Sequence, residues 1–283
     1  MKTNALTISV CLLLGTLWAG PLLAQNENQN EVKEQLVVPL TDPGKAGTLE
    51  VHLINGSIHV IGTNAKEVTV EAVTDSGSGG RKDGRDDELA GGMKRINSRG
   101  GIELTAVERN NTVKVESSFM KRAVRLTIRV PQRFALKVGT VNQGNITVEN
   151  ITGAVEVSNV NGKITLTNIA GSAVANTVNG QLTATFREVS PNTPMAFSTL
   201  NGNVDVTFPA NVKSSLKMKS DRGDIYSDFD IDVDKTEPKT SRSKEEGMYR
   251  VAVEDWVYGK INGGGPEVMM KNMHGNIYIR KAK

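Results

Sequence analysis

The chain has 283 residues, with 34 basic against 31 acidic side chains and a formal net charge of +3. That near balance excludes a protein that holds nucleic acid or an anionic membrane through bulk positive charge. Aromatic residues at 4% argue against a base-stacking platform and an aromatic-walled ligand pocket, while 28 glycines mark a glycine-rich chain.

Residues 1–24 read as a secretory signal peptide. Lys2 supplies the positive start, Ala5 to Ala19 is mostly apolar, and Pro21-Leu22-Leu23-Ala24 precedes the polar run Gln25-Asn26-Glu27-Asn28. The apolar run is shorter than the roughly 20 residues a spanning helix needs. Cleavage after Ala24 is therefore expected, leaving 259 residues (283 − 24) that do not span a membrane. Cys11, the single cysteine, lies inside the signal with Ser9-Val10 before it, which is not a lipidation site. The mature chain then has no disulfide, thiolate ligand or cysteine nucleophile. The expected route is general secretory export, ending in the periplasm or at the cell surface.

Residues 25–35 are expected to form a disordered leader and residues 36–283 a single domain. Its first repeat-like unit is Ile54-Asn55-Gly56-Ser57-Ile58-His59-Val60. Residues 75–101, dense in Gly, Arg, Lys and Asp, read as a mobile loop with a short helical turn near 86–93. Thr112 to Val115 and Val124 to Val130 alternate as strands, the second ended by Pro131, which cannot donate to a ladder.

A nine-residue repeat then organises the chain. Gly144, Gly153, Gly162, Gly171 and Gly180 are nine apart. Apolar residues stand two after each glycine (Ile146, Val155, Ile164, Ala173, Leu182) and four after it (Val148, Val157, Leu166, Ala175, Ala184). Four of the five also have one two before: Ile151, Val160, Ile169 and Val178. Alternation marks strands with one buried face, and Asn-Gly pairs mark corners where a positive φ is expected. Asn161 and Asn179 are 18 apart while the corner between them carries Ala170, so the true coil is 18 residues with two strands. Further copies stand at Leu200–Val206 and Met273–Ile279, a degenerate one at Asp221–Ile225, and an interrupted one at Ile261-Asn262-Gly263. Residues 230–247 read as a second mobile loop. The fold class expected is all-β, a parallel β-solenoid or β-helix-like stack of nine-residue half-coils flanked by extra strands. No rung closes its own core, so the stack needs capping.

The run Val124-Arg125-Leu126-Thr127-Ile128-Arg129-Val130-Pro131, followed by the glycine units, resembles bacterial adhesin-like domains built from β-strand repeats, which are related to the head domains of some surface adhesins. The resemblance spans about Leu49 to Arg280. It implies a secreted or cell-envelope β-solenoid domain and brings no catalytic residues with it.

A calcium β-roll would need repeated G-G-x-G-x-D, and Gly263-Gly264-Gly265 is a lone partial match. The six-residue period of acyltransferase helices is absent. Asp224, Asp228, Asp230, Asp232 and Asp234 cluster, and the last four alternate as if on one strand face; they would hold a cation or simply guard an edge. Guarding is the favoured reading. Arg222-Gly223-Asp224 matches an integrin-type tripeptide that falls on a repeat corner. His52, His59 and His274 lack metal spacing and read as structural, His52 and His59 facing opposite sides. Arg81, Lys82, Arg85, Lys94, Arg95 and Arg99 form a basic loop largely neutralised by Asp83, Asp86, Asp87 and Glu88. Catalytic, cofactor-binding and metal residues are therefore expected to be none, and no cofactor is expected. The leading function is a non-enzymatic envelope binding or scaffold module whose partner is a protein or glycan. The alternatives are a periplasmic assembly factor that binds through an open sheet end, and a carbohydrate-active β-helix lyase with the 228–234 carboxylates as its nucleus.

Overall fold

A computed structural model describes residues 32–74, 104–117, 123–234, 239–245, 248–254 and 256–283. The expected signal peptide, the 75–101 loop and its basic cluster lie outside these residues. In chain order the strands are β1 (Val32–Pro39), β2 (Thr48–Thr63), β3 (Glu67–Thr74), β4 (Leu104–Arg109), β5 (Thr112–Ser117), β6 (Val124–Pro131), β7 (Ala135–Asn142) and β8 (Ile146–Glu149). There follow β9 (Val155–Asn161), β10 (Ile164–Gly171), β11 (Ala173–Asn179), β12 (Leu182–Val189), β13 (Met195–Asn201), β14 (Val204–Phe208) and β15 (Ser214–Arg222). The last are β16 (Ile225–Ser227), β17 (Asp232–Val233), β18 (Lys239–Glu245), β19 (Met248–Glu254), β20 (Val257–Ile261), β21 (Glu267–His274) and β22 (Ile277–Lys281).

These strands build the expected parallel β-solenoid. Each coil contributes one strand to a sheet B and, after an Asn-Gly-type corner, one to a sheet A. Ile146 pairs with Ile164 and Ile164 with Leu182, which is the 18-residue coil read from the glycines. The described residues stack in eight rungs: β5/β6, the two halves of β2, β7/β8, β9/β10, β11/β12, β13/β14, β21/β22 and β15/β16. Spatial order departs from chain order at both ends. The early β2 is inserted as rung 2, and the last strands β21 and β22 as rung 7.

The core is the space between the sheets. Ile146, Ile164, Leu182, Val204 and Ile277 point inward from sheet A, and Val157, Ala175, Phe197 and Met270 from sheet B, all buried. Phe186, Phe197 and Phe208 meet edge-on and stacked at 6.0 and 5.5 Å.

Antiparallel strands close the stack. β3 and β1 extend sheet A beyond β6, β4 extends sheet B beyond β5, and β20 with β17 extends sheet B beyond β15. Val32 to Gln35, read as the end of the leader, are paired with β3. The 230–247 segment contains β17 and β18, the latter in a separate hairpin with β19. The alternating aspartates are likewise not one strand face, because only Asp232–Val233 is strand there. Phe229 is buried in the core cluster and Ile231 packs on it, so the segment plugs the open end and turns its carboxylates outward. The Ile261-Asn262-Gly263 copy is not a rung; it ends antiparallel β20.

The corner glycines are demanded mainly by space. A Cβ on Gly144, Gly162, Gly180, Gly202, Gly275 or Gly223 would lie 1.6 to 2.3 Å from the carbonyl oxygen of the glycine one rung below. Gly56 and Gly275 also have φ near +131°, but Gly144, Gly180 and Gly223 are not in the left-handed region. The expectation that every corner needs a positive φ is corrected to a demand for close approach.

A buried polar column serves those carbonyls. Thr140, Asn159, Thr177, Thr199, Asn272 and Ser220 each point inward and donate to the carbonyl of Gly56, Gly144, Gly162, Gly180, Gly202 and Gly275, at 2.9 to 3.3 Å. Each satisfies an acceptor that the corner removes from the ladder. Thr177→Val keeps the shape but orphans the Gly162 carbonyl. A loss of about 1–3 kcal/mol is expected in chemical denaturation, and an unchanged midpoint would show that the carbonyl has another partner.

Candidate binding face

The outer face of sheet A is built by the same alternation that fills the core. With Ile164 and Leu166 inward, Thr165 and Thr167 point out. Register aligns these outward residues into columns along the stack. One runs Gln35, Glu71, Thr127, His59, Thr147, Thr165, Thr183, Asp205, Tyr278, Tyr226. A second runs Arg129, Ile61, Glu149, Thr167, then Thr185, Thr207, Arg280. A third follows the corner, where Asn145 accepts from the Lys163 N–H, Asn203 from Asn276 and Asn276 from Asp224, at 2.8 to 3.0 Å. Sheet A therefore presents a flat, repeating surface of hydroxyls, amides and paired charges.

Two pairs of its charged members are tied to each other. His59 Nε2 lies 3.1 Å from Glu149 Oε1. Arg280 grips Asp205 through two bonds of 2.7 and 3.0 Å and lies 5.2 Å over the Tyr278 ring. Hydrogen bonding to Asp205 raises the Arg280 pKa further above its ordinary value. Tyr278 stacks on Tyr226 at 5.4 Å and 12°. Asn276 donates to the Tyr278 hydroxyl at 2.9 Å, and the Tyr226 hydroxyl donates to Asp224 at 3.2 Å, which raises its pKa. Tyr226 stands on the terminal parallel strand of sheet A and is half-exposed.

The other sequence candidates are scattered. His52 and His59 both point outward, but from different sheets, because β2 bends at Gly56 between them. Arg222 donates to His274 at 3.1 Å, Gly223 packs on the Gly275 carbonyl, and Asp224 is held by Asn276, so Arg222-Gly223-Asp224 is an ordinary corner of the last rung. Among the described residues no three or more His, Asp or Glu side chains converge as a metal site, the 228–234 carboxylates included. The tyrosine pair was missed because its members are 52 residues apart. Aligning the copies on Gly223 and Gly275 would have found them, since each tyrosine stands three after its glycine.

No curated protein matches the sequence. Among solved structures, a putative cell adhesion protein from Clostridium sporogenes is 11% identical, with 89% of this chain and 100% of that chain covered at a TM-score of 0.39. A putative adhesin from Bacteroides fragilis is also 11% identical, with 90% and 98% covered and a TM-score of 0.39. Residues 135–280, just over half of the sequence and every rung from β7 onward, match the Toastrack DUF4097 family, and the chain belongs to that family.

Proposed function

We propose that this is an exported, non-enzymatic binding module of the cell envelope, adhesin-like in use, whose outer sheet A face takes a polar polymer such as a glycan. The observation that carries this reading is the set of three aligned polar columns, closed at one end by Tyr278 and Tyr226. A single exposed hydroxyl or amide contributes about 0.5–1.5 kcal/mol to a contact. A rigid array repeating every ~4.8 Å adds many such contacts without ordering a loop. The tyrosines supply the apolar surface on which a sugar ring packs, in the place of a concave pocket. The export reading rests on the residues before Gln25. The lyase alternative loses its nucleus, because the 228–234 carboxylates face outward from a plug. The strand-adding alternative meets a three-residue edge at β16 and charged edges at β1, with Lys33, Glu34 and Pro39, and at the six-residue β4, with Glu108 and Arg109.

The test is binding of residues 25–283 to an immobilised glycan panel. Tyr226→Ala with Tyr278→Ala is expected to weaken binding by roughly tenfold or more, with the thermal midpoint nearly unchanged. Absence of any binding, or equal binding by the double variant, would overturn the assignment of this face.

A further inference from the structure

The outer face of sheet B is chemically unlike that of sheet A. Ile54, Val141, Val160, Val178, Leu200 and Met273 stand two before the corner glycine or, for Val141, three before it. They occupy successive rungs 2 to 7 and are 36–44% exposed. Their neighbours fix the alignment: Leu53 and Asn55 pair with Thr140 and Asn142, Thr177 and Asn179 with Asn159 and Asn161, and Thr199 and Asn201 with Asn272 and His274. The six side chains thus form one continuous aliphatic ridge on the outside of the protein.

The ridge is flanked by uncharged columns. On its corner side an asparagine ladder runs Asn142, Asn161, Asn179, Asn201, linked amide to amide at 3.2, 2.9 and 2.7 Å. On its other side, from rung 2 to rung 6, stand His52, Gly139, Ser158, Asn176 and Ser198. No Asp, Glu, Lys or Arg enters these columns over five rungs, in a chain that is 23% charged. The next column runs Glu50, Lys137, Glu156, Val174, Ala196 and Met269, so charges stand beside the ridge at rungs 2 to 4 and the apolar zone widens at rungs 5 to 7.

We infer that this ridge is a self-association surface, on which a second copy of the chain packs side by side through sheet B. Three observations select that occupant. The ridge repeats with the rung spacing of about 4.8 Å, and an identical ridge matches that repeat along its whole length. Over the ridge and its two flanking columns, from rung 2 to rung 6, a copy meets its own kind with no like-charge contact. Its small flanking residues leave the ridge accessible to a flat partner. The footprint sets the strength: five rung spacings give roughly 24 Å of length and about 17 Å of width, or about 400 Å² per copy, half of a standard partner's share. The pair is therefore reversible and forms at high protein concentration. It leaves the sheet A face free, so this inference and the glycan reading stand or fall separately.

The experiment is sedimentation equilibrium on residues 25–283 across a wide concentration range, with Val178→Glu and Leu200→Glu alongside. The wild type is expected to shift from monomer to dimer, insensitive to salt, and each variant to need at least tenfold more protein. Both sites face outward, so circular dichroism should report unchanged folding. Residues 25–283 contain no native cysteine, so Val178→Cys can be tested with a short bismaleimide against Thr183→Cys on sheet A. Crosslinking through residue 178 and not 183 is expected. A wild type that stays monomeric to roughly 1 mM, or equal crosslinking from both faces, would overturn the inference.

Discussion

Ending the chain at Pro266 is expected to abolish cooperative folding, although it removes only the last strands in sequence. Those strands, β21 and β22, are rung 7, not the end of the stack. β21 pairs with β13 on one side and β15 on the other, and β22 with β14 and β16. Val268, Met270, Ile277 and Ile279 are each buried within it. At about 1.5–3 kcal/mol for each side chain, their loss alone is roughly 6–12 kcal/mol, comparable with the whole net stability of a domain, about 5–15 kcal/mol. Rung 8 would lose its parallel partners as well, and with it the Phe229 plug and the antiparallel β20. Removing β1 instead, an edge strand joined only to β3, is expected to lower the melting temperature without destroying the transition. Thermal denaturation and limited proteolysis of the two truncations decide it. A Pro266 truncation that melts like the full chain would mean that rung 7 is peripheral.

The same insertion shows where the sequence stopped being informative. The nine-residue glycine spacing yields the 18-residue coil and the inward columns, because parity along a strand is local. Stacking order is not local. Nothing near Ile58 says that its neighbour will be Ile146, and nothing near Ile277 says that it will sit against Val204, 73 residues earlier. The apolar residue two before each glycine has no single fate, for a different reason. Ile151 and Ile169 are buried, while Val160 and Val178 are exposed in the same motif position. The difference is one backbone state: Asn150 and Asn168 have φ of 60° and 57°, and that left-handed residue rotates the next side chain inward. Asn159 precedes Val160 in the same way but is not left-handed, so residue identity alone does not distinguish the two corners. The candidate face was legible in its threonines, which follow the repeat; Tyr226 and Tyr278 share one repeat position, but their meeting depends on rung 7 being inserted beside rung 8.

Gly180→Ala is expected to be far more damaging than Gly263→Ala, and the contrast separates space from backbone conformation. Gly263 has φ of +85°, yet a Cβ there would meet nothing within 4 Å. Alanine at that position costs about 1–2 kcal/mol of left-handed strain. Gly180 lies outside the left-handed region, but its Cβ would stand 2.0 Å from the Gly162 carbonyl oxygen and 2.6 Å from its carbon. These are backbone atoms of the adjacent rung and cannot rotate away. To admit the methyl group, rungs 4 and 5 must separate at the corner. That strains the bonds from Gly162 N–H to Asn179 (3.0 Å) and from Thr177 to the Gly162 carbonyl (3.0 Å). It also opens the core beside Leu182. The sum is expected to exceed about 4 kcal/mol, the range reached by the severest single substitutions. Chemical denaturation of the two variants measures the difference directly. If Gly180→Ala and Gly263→Ala shift the midpoint equally, close approach is not what keeps glycine at the corners, and backbone conformation must account for the nine-residue spacing.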